Sequence, residues 1–372
     1  MTPSLRFEKK VLSLERYESA GVFDVDNDGV LDIVCGAYWY RGPDFQQKFK
    51  IGDVRAEGEY YDDFSTIAMD VNGDGFTDFI TGGWWGNTLR WRENPLIKGD
   101  PAKTWNEHII AEVGNVETTR AWDVDGDGQL EIVPNTPGGP QRFFKLITDN
   151  GKGAGKFKEF IAYPKQSGHG IGFGDVDNDG RGEIILHNGY LKAPADPLSG
   201  PWTFLPAFEL GCASCSVIVA DVNKDGVNDL IVGQAHGYGL DWYEQRIIGG
   251  QGGQSKWIKH PIDPYNSQYH DLIWTDLDGD GECELVTGKR FRAHCGRDPG
   301  EYDPPGIYYF KWNGESFSKQ IIDYGPIGTG KGCGIHFQVV DIDGDGRKDI
   351  VAPGKDGLCL YRNLGTAPNL GC

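Results

Sequence analysis

The chain has 372 residues and 55 acidic against 36 basic side chains, a formal net charge of −19. That surplus excludes nucleic acid as a partner, because phosphate neutralisation needs a basic face, and no run approaches the roughly 18 apolar residues of a membrane span. Glycine is abundant (55) and methionine scarce (2), which suits a turn-rich β protein, and 38% hydrophobic residues supply core material.

In chain order, residues 5–12 read as a lone strand. An acidic nonamer, D-x-[DN]-x-D-G-x-x-[DE], then recurs seven times. Its copies carry Asp24, Asp26, Asp28 and Asp32; Asp70, Asn72, Asp74 and Asp78; Asp123, Asp125, Asp127 and Glu131; and Asp175, Asp177, Asp179 and Glu183. The last three carry Asp221, Asn223, Asp225 and Asp229; Asp276, Asp278, Asp280 and Glu284; and Asp341, Asp343, Asp345 and Asp349. Successive copies start 46 to 65 residues apart, the period of a propeller blade with loop insertions.

Short β-branched and aromatic runs flank each copy, as in Ala20-Gly21-Val22-Phe23 before the first and Ile33-Val34 after it. A third strand follows in most repeats (residues 89–91, 240–243 and 307–310), then a more polar fourth (105–110, 257–260 and 317–322). Four antiparallel strands per repeat make a blade. The seventh repeat ends after its third strand, so the N-terminal strand is expected to complete it and close the ring. The expected fold is all-β: one seven-bladed β-propeller domain over residues 1–372.

Asp or Asn at positions 1, 3 and 5 with Gly at 6 is the oxygen-ligand pattern of a calcium loop. An EF-hand would need Glu at position 12, which here falls inside strands, so the acidic residue at position 9 is the expected last ligand. Up to seven Ca²⁺ sites are expected, drawing on 26 of the 55 acidic residues. Seven such loops within β-repeats resemble the FG-GAP/VCBS repeats of seven-bladed propellers, found in integrin heads, fungal lectins and several polysaccharide lyases. The resemblance covers nearly the whole chain and implies the fold and ion binding, but the same scaffold carries adhesion, sugar binding and catalysis. The histidines and aromatics beside the loops make the chain most similar to sugar-eliminating propellers of the aldos-2-ulose dehydratase and rhamnose–glucuronate lyase types.

The acidic loops join first and second strands, so all seven share one face. Segments approaching first strands and leaving second strands then share the other. There His169, His270 and His336 precede acidic motifs, His187 and His236 follow second strands, and His294 lies in the longest such loop. His108 and His260, on fourth strands, read as surface residues. Lys289, Arg290 and Arg292 form a basic segment able to clamp a carboxylate. Trp39, Trp84, Trp85 and Tyr190, with His294, are candidate sugar contacts. Asp62, Asp63, Glu117 and Arg120 also approach first strands. Glu18, Phe64, Glu117, His169, Cys215, His270 and Ile335 occupy equivalent positions in seven blades yet share no chemistry. A repeated lectin site would repeat its contacts, so one composite pocket is expected.

The expected activity is carbon–oxygen lysis, β-elimination on a uronic-acid glycan or dehydration of a keto-sugar. Histidines 169, 187, 236, 270 and 336 would supply the base, and Tyr238 or Tyr269 the acid. Several of these histidines could instead hold a second, softer divalent metal such as zinc. The alternatives are a non-catalytic carbohydrate-binding propeller and an adhesion or protein-interaction module. No signal peptide is legible, yet calcium-type loops fill most readily outside the cytosol, so secretion or a periplasmic location is expected and the cytoplasm stays open. Of eight cysteines, Cys295 and Cys333 form the candidate disulfide, and Cys212-Ala-Ser-Cys215 reads as structural. Oligomeric state is not legible.

Overall fold

Each acidic nonamer folds into the tight turn of a β-hairpin because its first aspartate ties down the loop's own backbone. Asp24 accepts from the amides of Asp28 and Gly29, and its equivalents do the same, through Gly226 to Asp221 and Gly346 to Asp341. The glycine at position 6 takes a left-handed φ in all seven copies, from +85° at Gly226 to +91° at Gly281, a conformation a Cβ would strain. The carboxylate at position 9 reaches back to the amide at position 2, as Asp32 does to Val25 (2.8 Å) and Glu131 to Val124 (2.8 Å). The turn is thus set by side chains within nine residues.

The computed structural model describes residues 4–249 and 253–366, and among them seven four-stranded antiparallel sheets form a β-propeller. Blade one pairs Ala20–Phe23, Asp32–Cys35, Tyr38–Tyr40 and Lys48–Lys50; blade two pairs Ile67–Met69, Asp78–Gly82, Thr88–Glu93 and Asn106–Glu112. Blade three pairs Thr118–Trp122, Glu131–Asn135, Pro140–Asp149 and Lys152–Gln166; blade four pairs Gly172–Gly174, Glu183–Leu186, Gly189–Lys192 and Thr203–Pro206. Blade five pairs Ile218–Ala220, Asp229–Gly233, Leu240–Ile248 and Gln254–Pro261; blade six pairs Tyr269–Thr275, Glu284–Lys289, Gly306–Trp312 and Phe317–Tyr324. In blade seven, Gln338–Val340, Asp349–Ala352 and Leu358–Thr366 are completed by the N-terminal strand Leu5–Ser13, with Leu5 opposite Thr366. The ring closes as the repeat pattern predicts.

Second strands are buried along their whole length, because neighbouring blades cover both faces of each sheet. Ile33, Val34, Ile184, Ile231 and Ile350 are fully buried, each stabilising the fold by about 1.5–3 kcal/mol. Fourth strands are largely exposed. First strands of neighbouring blades pack together and line the channel.

The expected Cys295–Cys333 disulfide is absent, and both thiols are free. Cys333 packs in the apolar cluster between blades six and seven with Val286 and Ile350, whereas Cys295 turns outward beside Tyr60. Sharing a face did not bring the two sulfurs together.

Candidate metal centre at the channel mouth

Glu117 approaches the first strand of blade three and is nearly inaccessible to solvent. Its Oε1 lies 2.9 Å from His270 Nε2, 3.5 Å from His169 Nε2 and 3.5 Å from Arg290 Nη1. His236 completes the group, with Nε2 3.1 Å from His169 Nε2. One ligand atom from each of Glu117, His169, His236 and His270 falls within 4.8 Å of all the others. Four blades meet at this point.

Outer partners orient the rings. His169 Nδ1 donates to the Ala213 carbonyl at 2.8 Å, and Gly170 permits that approach, since a Cβ there would sit 2.6 Å from the Ala213 methyl carbon. His236 Nδ1 donates to Asp298 Oδ2 at 2.9 Å. With both Nδ1 atoms protonated, the Nε2 atoms of neutral His169 and His236 would present lone pairs to each other at 3.1 Å. A proton carried on His169 Nε2, or a divalent ion shared by the two rings, removes that repulsion. His270 Nδ1, the nitrogen on the far side of the ring from Glu117, is buried without a hydrogen-bond partner among the described residues, so Nε2 is the nitrogen this ring brings to the group. Three imidazole nitrogens and one carboxylate oxygen are a donor set for zinc, iron or another divalent transition metal. The residues fit such an ion.

Charge around the group is tightly balanced. Burial pushes Glu117 up, but hydrogen bonds from His169 and His270 outweigh it and hold the carboxyl well below its usual range. Burial, with Arg290 beside it, drives His270 down to about 3. Burial opposes a charge on His169, yet Cys215 and Glu117 carry its value well above normal, while burial and the neighbouring His270 and His169 push His236 down. Arg290 is buried, with Nε 2.9 Å from Glu18 Oε1, and Lys355 Nζ lies 3.4 Å from Glu18 Oε2. Arg120 crosses the channel from blade three to Asp271 Oδ1 at 2.6 Å and to the Cys215 carbonyl.

A cavity of about 260 Å³ opens beside the group, lined by Tyr60, Phe64, Trp84, Trp85, Glu117, Arg290, His294 and Arg297. Asp62 shapes its aromatic wall by accepting from the amides of Trp85 (2.9 Å) and Gly86 (2.8 Å). His294 stacks on His236, with centroids 4.0 Å apart, and shares Asp298 with it through a 2.8 Å bond at Nδ1. Its side chain is 46% exposed on the cavity rim.

Of the residues singled out by sequence, His169, His236, His270, His294, Trp84, Trp85 and Arg290 come together here. The other expected catalytic and sugar-contact residues lie elsewhere. His336 bonds the Ala20 carbonyl (3.2 Å), and His187 packs against Gly168. Tyr269 is buried on Asp263 (2.7 Å), and Tyr238 lies on Asp303 (2.6 Å). Lys289 is buried on Ser267 Oγ (2.7 Å) and the Gly300 carbonyl, while Arg292 pairs with Glu59 (2.7 Å). Trp39 is a core residue stacked on Phe49, and Tyr190 neighbours Asp177 in its blade's acidic loop. Sequence reasoning noted Glu117 without a role and missed Asp298, Arg297 and Tyr60. The spacing of Asp298, four after His294, is the one signal it offered.

The acidic loops divide into two kinds. In blades one, two, five and seven the position-9 aspartate uses its second oxygen to accept an amide in or just after the third strand: Gly42 (2.7 Å), Asn94 (2.8 Å), Gln245 (2.8 Å) and Asn363 (2.7 Å). In blades three, four and six position 9 is glutamate, and a lysine enters the loop; in blade one Arg41 also contacts Asp26 and lies 3.8 Å from Asp28.

No family model matches the chain. Among curated proteins it is similar to the KICSTOR complex protein ITFG2 of Bos taurus, 32% identical over 149 residues, which is 36% of this chain and 27% of that protein. The match therefore spans well under two thirds of the relative's length. Among solved structures the fold is similar to a crystal structure of BBS1N in complex with ARL6DN, soaked with lead, with a TM-score of 0.52 and 10% identity over 99% of this chain and 98% of that one. Likeness at that identity shows the seven-bladed fold.

Proposed function

We propose that the channel mouth is the active site of a metal-assisted carbon–oxygen lyase or dehydratase acting on a carboxylate- or carbonyl-bearing sugar. The convergence of Glu117 with His169, His236 and His270 beside an aromatic, cationic cavity carries this reading. A divalent ion on those four residues would supply Lewis acidity toward the charge developing on a substrate oxygen during proton removal.

The chain's own groups supply the rest. Trp84, Trp85 and Tyr60 offer flat faces to a sugar ring. Arg297 lines the cavity with no ion pair among the described residues, so its guanidinium is available for a substrate carboxylate; Arg290 is held by Glu18. His294 gives its Nδ1 proton to Asp298, which leaves the Nε2 lone pair as a base on the rim. Burial, then a hydrogen bond with Cys295, raises Tyr60 above the usual phenol range, so it stays protonated and can donate to the leaving oxygen. On the opposite face, the loops of blades two, five and seven, which no third-strand cation enters among the described residues, are read as calcium seats. Such loops fill most readily where calcium is millimolar, and secretion or a periplasmic location fits them.

The test is metal analysis of the purified protein after zinc, manganese or iron loading, followed by incubation with uronic-acid glycans and keto-sugars. A conjugated unsaturated product, seen as new ultraviolet absorbance and lost with Glu117→Gln, is expected. Glycan binding without turnover would make the protein a carbohydrate-binding propeller. A folded protein that retains no transition metal would overturn the metal centre.

A further inference from the structure

The two kinds of acidic loop differ in what fills them. In blade three, Lys145 Nζ lies 2.7 Å from Asp125 Oδ2, 2.8 Å from Asp127 Oδ2 and 2.8 Å from Glu131 Oε1. Those are positions 3, 5 and 9, the oxygens a calcium ion would draw on. In blade six, Lys311 Nζ meets the same three positions at Asp278 (2.5 Å), Asp280 (2.5 Å) and Glu284 (3.2 Å). In blade four, Lys192 Nζ contacts Asp177 and lies 2.7 Å from Asp179, beside the buried Glu183.

Strand register explains why the exchange is concerted. Ile132 pairs with Phe144, Ile184 with Leu191 and Leu285 with Phe310, which places each lysine directly opposite its blade's position-9 glutamate. Where position 9 is aspartate, the same place holds Arg41, Glu93, Glu244 or Arg362, as the pairing of Ile33 with Tyr40, Phe79 with Arg92, Leu230 with Tyr243 and Ile350 with Tyr361 requires; of these only Arg41 pairs with carboxylates of its own loop among the described residues, contacting Asp26 and lying 3.8 Å from Asp28. Glutamate and lysine therefore occur together in three blades and in none of the other four.

We propose that Lys145, Lys192 and Lys311 are the resident cations of their loops, so that blades three, four and six take up no calcium there. Calcium sits about 2.3–2.6 Å from its oxygens. An ammonium nitrogen in contact with two or three of those carboxylates, at 2.5–2.8 Å from them in blades three and six save for Glu284 at 3.2 Å, occupies the same point. The two cations cannot share it. The inference concerns the acidic face and stands apart from the channel-mouth chemistry.

Calcium alone is the probe. Chelator-stripped wild-type protein, titrated in a calorimeter and by equilibrium dialysis with radioactive calcium, should bind no more than four ions per chain. The triple variant Lys145→Met, Lys192→Met, Lys311→Met should bind three more than wild type. If the triple variant does not fold, each single variant, checked by circular dichroism, should gain one ion. More than four ions in wild type, or no gain in a folded variant, overturns the proposal.

Discussion

The two faces of this propeller are built on opposite plans. The acidic face repeats one local device seven times, with bonds spanning at most nine residues inside each turn. The channel mouth is built once, from residues far apart in sequence: Glu117 and His270 are 153 positions apart, and Glu18 and Arg290 are 272. Local repetition gives redundancy, so losing one loop leaves six. A composite site has none, because each blade contributes a different group and no neighbour can replace it.

The comparison breaks most readily at Arg290. Its substitution by Met leaves Glu18 and Glu117 buried without their guanidinium and should cost about 3–5 kcal/mol of stability, read by chemical denaturation. Glu117→Gln, which keeps the shape but weakens the donor set, should lower kcat/KM on the order of 100-fold, with metal content falling in parallel. If metal is retained and turnover unchanged, Glu117 has no role in the chemistry. Arg297→Ala should raise KM for a carboxylated sugar about tenfold or more while sparing a neutral one, as expected for a charged hydrogen bond of about 1.5–3 kcal/mol. Equal effects on both substrates would remove Arg297 as the carboxylate contact.

On the acidic face the effects are smaller. Asp221→Ala frees the amides of Asp225 and Gly226 on an exposed turn and should cost about 1 kcal/mol without touching the channel-mouth activity. The smallest effect concerns pH. Burial holds Lys289 down to about 8 against its usual 10.5. Between those values the unfolded chain binds the proton and the folded chain does not, so stability from this group rises with pH there, and its deficit is fully present below 8. Lys289→Met should flatten that alkaline rise, checked by denaturation midpoints on either side of the window.

The ring of equivalent positions shows how far sequence reached. Aligning the acidic motifs put Glu18, Phe64, Glu117, His169, Cys215, His270 and Ile335 at one level of seven blades, and the structure brings all seven to the channel. Glu18 and Glu117 hold Arg290, Phe64 lines the cavity, and His169 and His270 meet Glu117. Cys215 Sγ lies 3.9 Å from His169 Nδ1, and the Ile335 carbonyl faces Arg120 at 3.4 Å. Residues outside that level were harder to place. Lys289, Arg290 and Arg292 read as one basic segment able to clamp a carboxylate, but each has a different acidic or polar partner, and the cavity guanidinium with no ion pair among the described residues is Arg297 in the following loop.

The fold was legible because its determinants are short-range. A turn spaced by nine residues, a left-handed glycine and flanking buried strands recur within each repeat, and the missing fourth strand of blade seven pointed to the chain's own beginning. The pairing of position-9 glutamates with third-strand lysines was also present in the sequence, but only strand register made it visible. What tertiary structure alone decided is the chemistry of the channel mouth. Which histidines meet, and which carboxylate joins them, depends on how four blades lean across a common axis, and no local spacing encodes that distance.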